Sequence, residues 1–173
     1  MTENQFNEIK QRLAKWRKKR HLTYENQIEG LAENVFKKVS EYFRAKDDLE
    51  KADALCNIAV FLFNSIDLDY ESYHNFKMYT AFEDDFFYIY GKLGNVVRNK
   101  IYNGTNVLSA KVNSELISIL DTYFRDDLKL DFYECMIKTI KEIESRTGAY
   151  DENLKKEIDV LEKDFWKRSK KCM

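Results

Sequence analysis

Glu29 and Glu33 stand four residues apart, with Glu41 two turns further along the same stripe. Glu50 and Asp53 stand three apart, and Asn57 follows Asp53 by four. On helices, spacings of three and four put side chains on one face. Carboxylates gathered between two helices are one way to hold a divalent cation, because a buried acid is costly unless a cation or a partner compensates it. Solvated acids on helix surfaces give the same spacing, and charged residues make up 34% of this chain, so both readings stand. Lys37, four residues from both Glu33 and Glu41, has three readings. Its ammonium could compete with a cation, contact a phosphate, or form a solvated ion pair worth a few tenths of a kcal/mol. Asn57 can coordinate only through its carbonyl oxygen. Asn64 suits either a base or ribose, or a polar contact between helices. Lys141 and Arg146 suit either a triphosphate or a solvated helix end.

The elements that must position these groups are helices. From about residue 5 to 20, Phe6, Ile9, Leu13 and Trp16 recur at helical spacing, with Lys10, Arg12, Lys15, Arg17, Lys18, Lys19 and Arg20 on the other faces. These cations read as an anion patch or, more blandly, as a solvated helix end. A second helix is expected after Thr23, over about 26–46, with Ile28, Leu31, Ala32, Val35, Val39 and Phe43 inward. A third, over about 48–66, is apolar around so much of its girth that it belongs at the centre of the bundle. Further helical patterns cover about 70–79, 83–102, 110–124, 132–146 and 152–167, with Thr147-Gly148 as a stop.

Composition narrows the class. The chain has 173 residues, 29 basic and 30 acidic side chains and a formal charge of −1, which suits one domain or two fused repeats and not a coat for nucleic acid. The five glycines show no phosphate-loop spacing, and with no proline an all-β fold is hard to build. Three dispersed cysteines and two distant histidines argue against a structural zinc site and fit a reducing cytoplasm, with Cys56 expected buried and inert. The polar N-terminus is no signal peptide, Asn103-Gly104-Thr105 reads as a turn, and no apolar run is long enough to span a bilayer. Phe82, Phe86, Phe87, Tyr88 and Tyr90 read as core packing, with base stacking as the alternative.

An internal repeat also emerges. Leu68-Asp69-Tyr70 matches Leu130-Asp131-Phe132 at an offset of 62 positions. The same offset places Leu31 on Leu93, Val35 on Val97, Asp53 on Glu115, Leu55 on Ile117, Ile58 on Leu120 and Leu62 on Phe124. The expected fold is therefore all-α: an antiparallel helical bundle with an internal duplication of a helical hairpin. Its parts are an N-terminal helix (1–22), a first repeat (24–84), a second (86–146) and a C-terminal helix (149–173).

Leu31-Ala32-Glu33-Asn34 and the run Asp53-Ala54-Leu55-Cys56-Asn57-Ile58-Ala59-Val60-Phe61-Leu62-Phe63-Asn64 resemble the MazG-like all-alpha nucleoside triphosphate pyrophosphohydrolases. Phage-type members and dimeric dUTPases are the nearest in character. Trp16, the 22–27 entry and Lys141-Glu142-Ile143-Glu144-Ser145-Arg146-Thr147-Gly148 are similar too. The resemblance implies an ExxE on one helix and an ExxD on the next. These would hold Mg2+, or Mn2+, for hydrolysis of a (deoxy)nucleoside triphosphate to monophosphate and pyrophosphate in a cytoplasmic homodimer. Aligned on the family's usual run, the motif acids fall on Asn34, Lys37, Ala54 and Asn57. A shifted frame recovers Glu29, Glu33, Glu50 and Asp53 as metal ligands, with Lys37, Asn57, Asn64, Lys141 and Arg146 toward the substrate. The alternative is a catalytically degenerate protein of the same fold that binds a nucleotide or a protein partner without turnover. Neither membrane nor nucleic acid is the expected partner. The hydrophobic positions Leu154, Ile158, Leu161 and Phe165 would serve a dimer interface or pack on their own bundle.

Overall fold

Five of the helices begin where a short polar side chain takes a free backbone N–H. In the computed structural model, which describes residues 1–76, 90–95 and 110–146 and the backbone of 148–151 and 156–159, Thr2 opens α1 (Glu3–Lys19) and Thr23 opens α2 (Tyr24–Arg44). Both form reciprocal capping boxes, with Gln5 and Asn26 respectively. Asp47, Asp69 and Asp131 cap α3 (Asp48–Ser65), α4 (Tyr70–Asn75) and α7 (Phe132–Ser145). Between α4 and α7 lie α5, helical over the described residues 90–95, and α6 (Ala110–Tyr123). α6 runs into a π-helical turn over Phe124–Leu128, closed by Lys129 at φ 55°.

α2 and α3 form an antiparallel hairpin across the short link 45–47, and α3 also packs on α1, α6 and α7. Eleven of its 18 residues are buried, so the expected central helix is the central helix. Around it close Phe6, Ile9 and Leu13 of α1, Leu31, Val35 and Val39 of α2, Leu116, Ile117 and Leu120 of α6, and Met136 and Ile140 of α7. The ring of Phe6 meets those of Phe63, Tyr73 and Tyr70 at centroid distances of 5.2, 5.3 and 5.7 Å. The helices make this an all-α bundle, and among the described residues no helix is long and apolar enough to cross a membrane.

Three expectations need correction. Phe43, expected inward, is 59% exposed, while Tyr42 is buried with its hydroxyl 2.6 Å from that of Tyr123. Adjacent positions differ by about 100° around a helix, so only one can face the core, and Tyr42 finds a polar partner there. The C-terminal helix is also not seen where it was expected to begin. Gly148–Asp151 (β1) pairs antiparallel with Lys156–Asp159 (β2), Gly148 opposite Asp159 and Asp151 opposite Lys156. Helix α7 ends at Ser145 with Arg146 as its C-cap, within one residue of the expected 132–146. Residues 160–173 and Phe82, Phe86, Phe87 and Tyr88 of the aromatic cluster lie outside the described residues, while Tyr90, expected in the core with them, is 43% exposed.

The 62-residue offset carries burial and capping together. Leu31 and Leu93, Leu55 and Ile117, Ile58 and Leu120, and Leu62 and Phe124 are all buried. Asp69 and Asp131 each accept the N–H three residues on, from Ser72 at 2.7 Å and Glu134 at 2.9 Å. The match of Val35 to Val97 lies outside the described residues.

Candidate functional site

The closed end of the α2–α3 hairpin gathers most of the charge chemistry. Asp47 Oδ1 accepts the N–H of Glu50 at 2.9 Å, and Glu50 Oε2 accepts the N–H of Lys46 at 2.8 Å, so the Glu50 carboxylate closes the start of α3. One turn on, Asn57 donates through Nδ2 to the carbonyl oxygen of Asp53 at 2.9 Å and to its Oδ2 at 3.3 Å. On α2, Lys38 pairs with Glu41 at 2.6 Å. A cleft of about 530 Å³ is lined by Glu41, Arg44, Asp47, Leu49, Glu50 and Asp53. The end of α7 brings the Arg146–Glu142 pair, at 2.6 Å, into the same field. Burial pushes the carboxyl of Asp53 above its ordinary range; Lys38 and Arg146 oppose this, and Glu142 and Glu41 add to it. Charges from α2, α3 and α7 thus converge on Asp53.

The four expected metal ligands are not brought together. Glu50 and Asp53 share the cleft with Glu41 and Asp47. Glu29 and Glu33 are exposed on the opening half of α2, about 18 and 12 Å along the helix from Glu41 at ~1.5 Å per residue. Among the described residues, no three His, Cys, Asp or Glu side chains are grouped so as to hold a metal ion. The reason is visible in the bonds: Glu41 is turned to Lys38, and Asp47 and Glu50 are turned to backbone N–H groups.

The expected substrate contacts divide. Lys37 is exposed, and Glu41 takes Lys38 in its place. Asn57 is committed to Asp53. Asn64 is buried, and its Oδ1 accepts from Arg17 Nη1 at 2.6 Å, so of its two readings the contact between helices is realised. Lys141 is exposed on α7, and Arg146 pairs with Glu142 while its carbonyl accepts from Arg20.

Neither reading of the basic first helix anticipated its main role. Arg17 and Arg20 are buried, their guanidinium carbons 4.4 Å over the Tyr24 ring and 4.9 Å over the Trp16 ring. Lys10 donates to the carbonyl of Leu68 at 2.6 Å and pairs with Asp67 at 2.8 Å, and Arg12 pairs with Glu144 at 2.6 Å. These cations clasp α1 to its neighbours. The signal was their position beside the apolar stripe, where long side chains can lie along the core.

No family model, curated protein or solved structure matches this chain.

Proposed function

We propose that the chain is a degenerate MazG-like bundle that binds a protein partner at the α2–α3 cleft without turning over a nucleotide. What supports this is the state of the cleft acids, which are engaged in helix caps and ion pairs and not held open around a common point. Four acids and one arginine line the cleft, with Leu49 68% exposed at its rim. Such a surface repels a free triphosphate and suits a basic side chain flanked by apolar ones. A second copy of the chain is one such partner. Calorimetric titration with Mg2+ and Mn2+ tests this reading: no binding heat is expected. Saturable heat lost in the Glu50→Gln/Asp53→Asn variant overturns it.

The second reading is the active pyrophosphohydrolase, favoured by one observation: Glu41, Glu50 and Asp53 line the same cleft from two helices. In that reading Glu41, Glu50 and Asp53 would hold Mg2+ or Mn2+, which would neutralise triphosphate charge, and Lys38 and Arg146 would face the phosphates.

A further inference from the structure

Of the seven cations between residues 10 and 20, Lys10, Arg12, Arg17 and Arg20 are bound to neighbouring elements. The other three, Lys15, Lys18 and Lys19, are exposed. Their place on the helix is specific. Asn4, Asn7, Gln11, Lys15 and Lys18 follow one another at spacings of three and four, which puts them on one face of α1. The buried stripe of Phe6, Ile9, Leu13 and Trp16 occupies the opposite face. Asn4, Gln11, Lys15 and Lys18 are exposed, as is Ala14 beside them, and Asn7 is half-buried.

Lys19 extends this face toward α7, where Lys141 is also exposed. The Glu144 carboxyl is held low by Arg12 first, at 2.6 Å, and by Lys19 and Lys141 after it, so the two lysines lie around one point. Glu8, the nearest acid along the helix on that flank, is turned to the Tyr133 hydroxyl at 2.7 Å. None of the residues lining the α2–α3 cleft belongs to α1, so this surface stands independently of the reading of the cleft.

We propose that the solvent face of α1 is a docking surface for double-stranded DNA, with Lys15, Lys18, Lys19 and Lys141 on backbone phosphates and Asn7 and Gln11 on base edges in the major groove. Lysines alone suit any polyanion. Side-chain amides in line with them add groups that can pair with the N6 and N7 edge of adenine, and the B-form major groove admits a helix. The major groove of duplex RNA is too deep and narrow for this. A single strand calls for aromatic side chains on which bases stack, and this face carries none. The formal charge of −1 is a sum over the whole chain; on the stripe from Asn4 to Lys18 the only charged side chains are lysines.

Fluorescence anisotropy of the full chain with a labelled DNA duplex tests this. Affinity should fall about 100-fold between roughly 50 and 200 mM salt, as four phosphate contacts require. Lys15→Gln/Lys18→Gln/Lys19→Gln should flatten that fall to under about 10-fold, with circular dichroism verifying the helices. Duplexes enriched from a random-sequence library should be preferred over scrambled ones. Asn7→Ala/Gln11→Ala should lose that preference and keep the salt dependence. No duplex binding at the low-salt end overturns the proposal, as does equal binding by the triple lysine variant. So does poly-glutamate bound as tightly as the duplex, which would make the face a dock for an acidic protein. A library that yields no preferred sequence, or a preference that survives in Asn7→Ala/Gln11→Ala, overturns it as well.

Discussion

Arg17 of α1 and Asn64 of α3 meet inside the bundle, Nη1 donating to Oδ1 at 2.6 Å and to the Phe63 carbonyl at 3.3 Å. Both side chains are buried, Arg17 to 7% exposure and Asn64 to 1%. The charge is therefore held by neutral oxygens and the Tyr24 ring. Replacing Asn64 by leucine strands the guanidinium and should lower stability by about 3–5 kcal/mol. Replacing Arg17 by methionine leaves only a neutral acceptor unpaired, for about 1–3 kcal/mol. The double variant should recover part of the sum. Urea unfolding of all four proteins measures this, and strict additivity would deny the contact.

The buried phenols make the fold sensitive to alkali. Burial and then the Tyr123 hydroxyl push Tyr42 above its ordinary value, and burial and then Asp121 push Tyr73 up likewise. A raised folded value means the neutral form is the one the fold stabilises. That stability is whole below the unfolded value of about 10 and drains away as pH rises toward the folded values. Tyr42→Phe should cost about 0.5–1.5 kcal/mol at neutral pH and flatten the alkaline decline. Thermal melts from pH 7 to 11 read both effects.

Asp53 should behave in the opposite sense from a structural carboxylate. Its raised value means that its charge opposes folding at neutral pH, and that the opposition fades as pH falls through the folded value. Because much of the residue still meets solvent and only its carboxyl is partly covered, Asp53→Asn should leave stability equal or slightly higher at pH 7, within about 0.5 kcal/mol, and unchanged near pH 3. A loss at pH 7 would show that the carboxylate holds something the fold needs.

Glu144 supplies the contrast. Its hydrogen bond from Arg12 holds its carboxyl below the ordinary range, so its contribution is present above the unfolded value and lost as pH falls through the folded one. Glu144→Gln should cost about 0.2–1 kcal/mol at pH 7 and low salt, and less at high salt. Denaturant melts at two ionic strengths measure the difference.

The helices were legible because their signals are local. The Phe6-Ile9-Leu13-Trp16 stripe is buried as its spacing demanded, and Thr23 caps α2 where it was expected. The choice of Tyr42 over Phe43 was not legible, because it turns on Tyr123, distant in sequence but adjacent in space. The hairpin of β1 and β2 escaped for a related reason: the spacing of Leu154 and Ile158 also suits a helix, and strand pairing is not a local property. At the site, spacing named Glu50 and Asp53 as sharing a face, and they share a cleft. Spacing cannot say which end of a hairpin a residue occupies relative to its partner helix, and that is what separates Glu29 and Glu33 from them.

The most direct test of the binding reading is pyrophosphate release from a panel of ribo- and deoxyribonucleoside triphosphates with Mg2+ or Mn2+. The wild-type chain and the Glu50→Gln/Asp53→Asn variant are compared side by side. The account predicts no release above the protein-free blank from either. Metal-dependent release by the wild type that disappears in the double variant would contradict it and establish a working hydrolase at the α2–α3 cleft.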